Sequence, residues 1–110
     1  MEEVKEAVQV SEKAQVRIAR VRSALVTTFK ELTTVELGNP ETNDSDWNTL
    51  REMFLQGDLG MDSLDAVEIN MSVEDVAEMD LQELEDNFTS EYTVGKYYDD
   101  VVERITAAFP

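Results

Sequence analysis

A chain of 110 residues is long enough for one small domain with a modest core and too short for a second. Its 25 acids against 9 Lys and Arg leave a net charge of −16, which argues against nucleic acid and anionic membrane partners and for proteins with basic patches. The absence of Cys and His excludes disulfides, thiolate or imidazole metal ligands and any Ser-His or Cys-His nucleophilic pair.

Met1-Glu2-Glu3-Val4-Lys5-Glu6 has neither a basic n-region nor an apolar h-region, and no run approaches bilayer length. A cytoplasmic protein without membrane insertion is expected. Residues 1–12 are acidic and weakly periodic and read as a frayed lead-in, leaving 13–110 as the domain. From Ala14 the pattern sharpens. Ala14, Ile18, Val21, Leu25, Phe29 and Leu32 recur at steps of three and four, one buried stripe of a long helix that Gly38-Asn39-Pro40 should end. Residues 13–30 hold Lys13, Arg17, Arg20, Arg22 and Lys30 and no acid. They read as a solvated face that balances acids elsewhere, in preference to a basic docking stripe.

Residues 41–62 begin polar and then carry Trp47, Leu50, Met53, Phe54 and Leu55, a short turn of helix pinning a long loop to the core. Next comes Asp58-Leu59-Gly60-Met61-Asp62-Ser63-Leu64-Asp65, a glycine-containing loop running into a helix expected over residues 63–77. Asp62 is a good N-cap, and Asp65 three residues on completes a pattern like a capping box. Ser63 then sits where free backbone N–H groups and the helix dipole favour an anion, so a phosphate ester on its hydroxyl would be stabilised.

At 100° per residue the apolar groups of this helix fall into two stripes. Ala66, Ile69, Val73, Val76 and Ala77 form one, wide enough to face a core. Leu64, Val67 and Met71 form the other, ringed by Glu68, Glu74 and Asp75. One helix of a small bundle rarely buries two opposed faces, so the second stripe is assigned to solvent, beside Ser63, as a docking surface. Packing of Leu64 and Met71 under the preceding loop is the alternative.

Asp80 and Glu83 have capping-box spacing before a short helix with Leu81, Leu84 and Phe88 as its contacts. Thr93 can cap the last helix, whose buried stripe is Val94, Tyr98, Val101, Ile105 and Ala108 or Phe109. Tyr97 and Tyr98 read as core edge.

The residues from Asp58 into the acidic helix resemble the prosthetic-group attachment site of acyl carrier proteins, with the signature D-L-G-x-D-S-L-D; the match is dense over residues 58–75. The resemblance implies an all-α, four-helix bundle with a long first connection and a short third helix. It places on Ser63 the serine that carries 4'-phosphopantetheine, a covalent arm derived from coenzyme A whose thiol holds acyl groups as thioesters. Asp62 would orient that serine and assist the transferase's metal site when the arm is added. Asp65, Glu68, Glu74 and Asp75 would meet basic patches on a phosphopantetheinyl transferase and on acyl-processing enzymes, with Leu64, Val67 and Met71 supplying apolar contact. The chain would serve fatty acid, polyketide or specialised lipid synthesis as a monomeric carrier, not an enzyme, sheltering the acyl chain between helix faces. Ala77-Glu78-Met79-Asp80-Leu81 departs from the family's usual step before the third helix, which leaves the acyl pocket unspecified. An ordinary cap at Ser63, in an unmodified acidic adaptor that binds a basic partner through the same helix, is the competing reading. No D-x-[DN]-x-[DN]-G loop occurs, so no dedicated metal site is expected.

Overall fold

Four α-helices and one 3-10 helix make up the regular structure of the computed structural model, which describes residues 10–110. They are α1 (Glu12–Leu32), α2 (Asp44–Arg51), α3 (Ser63–Ala77), the 3-10 helix (Gln82–Asn87) and α4 (Val94–Ala108). The arrangement is all-α. The lead-in expected to fray falls mostly outside the described residues; of those described, Val10 packs on the core and Ser11 caps α1. Its hydroxyl accepts from Ala14 N–H at 3.1 Å and donates to the carbonyl of Phe109, tying the two ends of the domain together.

The stripe of α1 faces inward as its spacing requires, with Ala14, Val21, Leu25 and Phe29 buried and Ile18 and Leu32 partly so. Its end differs from the expectation. The helix stops at Leu32, well before Gly38, and Thr33 is already extended at φ −120° and ψ 153°. The β-branched run Thr33-Thr34-Val35 lowers helix propensity just where the apolar period lapses. Gly38 turns the chain instead, at φ +73°, and a Cβ there would lie 2.6 Å from Asp46 Oδ2, which accepts from Asn39 N–H.

The first connection is long but pinned. Asn43 caps α2 by accepting from Asp46 N–H, and Trp47 and Leu50 are buried. Trp47 meets Tyr98 of α4 edge-on at 5.1 Å, while the Arg22 guanidinium lies over the indole ring at 5.0 Å. Such aromatic and cation contacts stabilise the fold beyond what the area each ring buries contributes. Phe54 departs from its expected pinning role and is exposed. Leu55, which is fully buried, holds the loop instead, and its N–H donates to Tyr92 O at 3.1 Å beside an isolated bridge between Phe54 and Thr93.

Among the basic residues of α1, Arg17 and Arg22 do more than face water. Arg17 donates to Ala77 O at 3.1 Å, pairs with Glu78 at 2.7 Å and stacks on Phe109 at 3.8 Å. It thereby closes the C-terminus of α3, where unpaired carbonyls and the dipole favour a cation and where Glu78 takes a left-handed φ of 59°. Lys13 and Arg20 remain exposed.

The expected capping box at Asp80 does not form. Asp80 accepts from Gln82 N–H at 2.9 Å in a local turn, Glu83 pairs with Arg104, and the 3-10 helix has no side-chain cap. Thr93 does cap α4 by accepting from Lys96 N–H, over a buried stripe of Val94, Val101 and Ile105. Tyr97, expected at the core edge, is fully buried, whereas Tyr98 is half-buried and Ala108 exposed.

Candidate functional site

The loop before Ser63 is built by its own sequence. Asp58 accepts from Phe54 N–H at 2.8 Å, Leu59 and Met61 bury their side chains, and Gly60 turns the chain at φ +70° with open space where a Cβ would stand. Met61 N–H donates to Leu55 O at 2.9 Å, which closes the turn against the core. The chain thus enters α3 from a fixed direction.

At that entry both bonds of the capping box are made. Asp62 Oδ1 accepts from Asp65 N–H at 2.9 Å, and Asp65 Oδ2 accepts from Asp62 N–H at 3.1 Å. Ser63 is the first residue of the helix and is exposed. Its hydroxyl stands at the positive end of α3, and the acids around it act in the opposite sense.

Ser63 lies on the rim of a pocket of about 260 Å³ between the start of α3, the preceding loop and the 3-10 helix. Met61, Ala66, Val67 and Phe88 give it apolar walls, while Gln56, Asp62, Glu85 and Asp86 give it polar ones. Gln56 Nε2 donates to Phe88 O at 2.9 Å and straps the loop to the far wall. Phe88 meets Tyr92 at 5.5 Å and Tyr97 at 5.3 Å, both edge-on, so this wall of the pocket belongs to an aromatic cluster.

The two stripes of α3 separate as their surroundings suggested. Ala66, Ile69, Val73 and Ala77 are buried and Val76 is half-buried. Leu64 is 77% exposed, Met71 60% and Val67 38%, beside exposed Glu68 and Asp75. Two of the four acids assigned to partner contact are engaged within the fold. Asp65 belongs to the capping box, and half-buried Glu74 accepts from Leu81 N–H at 2.7 Å. Glu74 is thus corrected from a free surface charge to a brace for the segment after α3.

That brace is part of a polar clamp. Asn70, fully buried on the core face of α3, donates to Leu81 O at 2.7 Å and accepts from the Tyr97 hydroxyl at 2.6 Å. Both backbone groups of Leu81 are therefore held by α3, and α4 is tied into the same network. Burial pushes the Tyr97 phenol far above its ordinary range, so it stays a donor. Low surrounding polarity strengthens these bonds and raises the cost of leaving any partner unpaired.

Gln56, Met61, Ala66, Glu85, Asp86 and Phe88 at the pocket, and Asn70 in the clamp, were not among the site residues legible from sequence. Of these, Ala66 was readable only as part of the core stripe and Phe88 only as an apolar contact of the short helix. Among the described residues no group of three or more acids is arranged to hold a metal ion, and no helix is long and apolar enough to cross a membrane. In comparisons with protein-family models, curated proteins and solved structures, the chain matches none.

Proposed function

We propose that this protein is a carrier domain: a small helical bundle that presents one covalently modified side chain to partner enzymes and performs no chemistry itself. The particular carrier we infer is an acyl carrier, with 4'-phosphopantetheine on Ser63. The observation that carries this reading is the exposed Ser63 hydroxyl at the start of α3, on the rim of a pocket with apolar walls.

The residues present fit such a group. A phosphodiester on Ser63 would meet the N-terminal end of α3, where backbone N–H groups lack intrahelical partners. When attached, the arm supplies a thiol that holds acyl groups as thioesters. The chain's own residues do the rest. Asp62 and Asp65 fix the helix start, Gly60 and Asp58 set the angle of the loop, and Met61, Ala66, Val67 and Phe88 offer an apolar surface within reach of the serine. Leu64, Val67 and Met71 beside Glu68 and Asp75 supply the contact for basic enzymes.

The same exposed stripe also favours a second reading, an unmodified adaptor that binds a basic partner through α3. One experiment separates the two. Incubation with coenzyme A and a promiscuous phosphopantetheinyl transferase is expected to add one arm to the wild type and none to Ser63→Ala, read by intact mass. A wild type left unmodified while a control carrier is modified would support the adaptor.

A further inference from the structure

The chain contains no Cys, so its five methionines hold all of its sulfur. Met53, Met61, Met71 and Met79 lie among the described residues, and the fold treats one of them differently from the rest. Met61 is 4% exposed, and Met53 and Met79 are partly buried against the core, whereas Met71 is 60% exposed. Resting on the carrier reading of Ser63 and on enzyme contact through α3, we infer that Met71 is a site of reversible oxidation to the sulfoxide. The sulfoxide weakens docking of partner enzymes without unfolding the protein.

Position on the helix gives the oxidation its consequence. Met71 lies one turn after Val67 and two after Leu64, so the three side chains stand in one row on the exposed side of α3. It also borders an open groove with Glu74, Asp80, Gln82 and Glu85, which admits water and a dissolved peroxide to the side chain. Hydrogen peroxide transfers one oxygen to the thioether sulfur, is itself reduced to water, and leaves the sulfoxide. A methionine sulfoxide reductase reverses the step, removing the oxygen as water while two thiols of a reductant become a disulfide. The change turns a soft apolar side chain into a polar one. In the free protein it costs the fold little, because the sulfoxide oxygen stands in water. At a docked surface the same oxygen has to be desolvated beside Leu64 and Val67 against the apolar part of the partner. Glu68 and Asp75 keep their charges, so basic partners are still attracted while the apolar contact is lost. Met53, Met61 and Met79 react only as local opening of the core exposes them.

The test treats the whole chain, before any arm is added, with dilute hydrogen peroxide, removes the peroxide with catalase and locates sulfoxides by peptide mass mapping. Met71 is expected to oxidise about tenfold faster than Met53, Met61 or Met79. Samples stopped at one added oxygen are then given coenzyme A and a promiscuous phosphopantetheinyl transferase. Their kcat/KM for arm addition is expected to fall about five- to tenfold, with the melting temperature and the salt dependence unchanged. Treatment with reductases for both sulfoxide epimers and a dithiol should restore the untreated value. Met71→Leu has no sulfur at that position, so it is compared with its own untreated rate and should hold that rate through the peroxide step. Oxidation of Met53, Met61 or Met79 as fast as Met71, or a melting temperature that falls with the first sulfoxide, would overturn the site. Selective oxidation of Met71 with kcat/KM unchanged, or an equal fall in Met71→Leu, would overturn the effect on docking while leaving the carrier reading intact. An untreated wild type that accepts no arm while a control carrier does would overturn the carrier reading, and the inference with it.

Discussion

On one side of α3, Ala66, Ile69, Val73 and Ala77 lie in the core with at most 3% of their surface exposed; on the other, Leu64 and Met71 are more than half exposed. The residues on the two sides have similar hydropathy. What differs is what stands next to them. The buried side meets the apolar stripes of the rest of the bundle, while the exposed side is bordered by Glu68 and Asp75 and by Glu85 and Asp86 of the pocket lining. Burial of the second side would require removing carboxylates from water without partners, a cost greater than three apolar side chains return. An apolar residue on this helix therefore stabilises the fold or stays available for contact according to its charged neighbours.

The sharpest way to break this comparison is to truncate one residue on each side. Ile69→Ala is expected to lower unfolding free energy by about 2 to 5 kcal/mol, because the site is fully buried and collapses only in part. Met71→Ala should change it by less than about 0.5 kcal/mol. Denaturant melts of the pair check both values, and similar losses would place Met71 in the core.

The buried side also holds a polar residue, and there the comparison can be refined. Asn70→Leu should cost about 1 to 3 kcal/mol, since the Tyr97 hydroxyl and Leu81 carbonyl lose their partner in a dry environment. Adding Tyr97→Phe should cost less in that background than in the wild type, because the hydroxyl is already orphaned. A double-mutant cycle that is simply additive would show that the clamp does not act as a unit.

Smaller effects are expected in the loop that feeds α3. Gly60→Ala should cost about 1 kcal/mol, through the left-handed backbone alone, because nothing lies within contact distance of the added methyl. A loss several times larger in thermal melts would reveal packing that the open space around Gly60 does not suggest.

How much of this was legible in the sequence depended on the range of the interactions. The start of α3 was readable because Asp62 and Asp65 lie three residues apart and complete their bonds locally. The stripes of α1 and α3 were readable because periodicity reports which side faces inward. The clamp was not, since Asn70 in an apolar stripe looks like an interruption and its Tyr97 partner is 27 residues away. Glu74 looked like its exposed neighbours for the same reason: its partner is the backbone N–H of Leu81, which almost any residue there could provide. The end of α1 was misplaced because Gly38-Asn39-Pro40 is a strong stop signal, while the weaker β-branched run before it acts first. The pocket could not be foreseen from one segment, since its walls come from the loop, α3 and the 3-10 helix together.

On the proposed carrier reading, the most direct test of the division between the two sides is the kcat/KM of a promiscuous phosphopantetheinyl transferase for Leu64→Ala relative to the wild type, measured alongside the melting temperature. Leu64 is 77% exposed and follows Ser63 directly in the first turn of α3, so it is available to an enzyme that reaches the hydroxyl from this side. Recognition through this side predicts a fall of roughly fivefold, or about 1 kcal/mol of lost contact, with the melting temperature unchanged. An unchanged kcat/KM, or a melting temperature that drops with it, would contradict the assignment of this side of α3 to recognition.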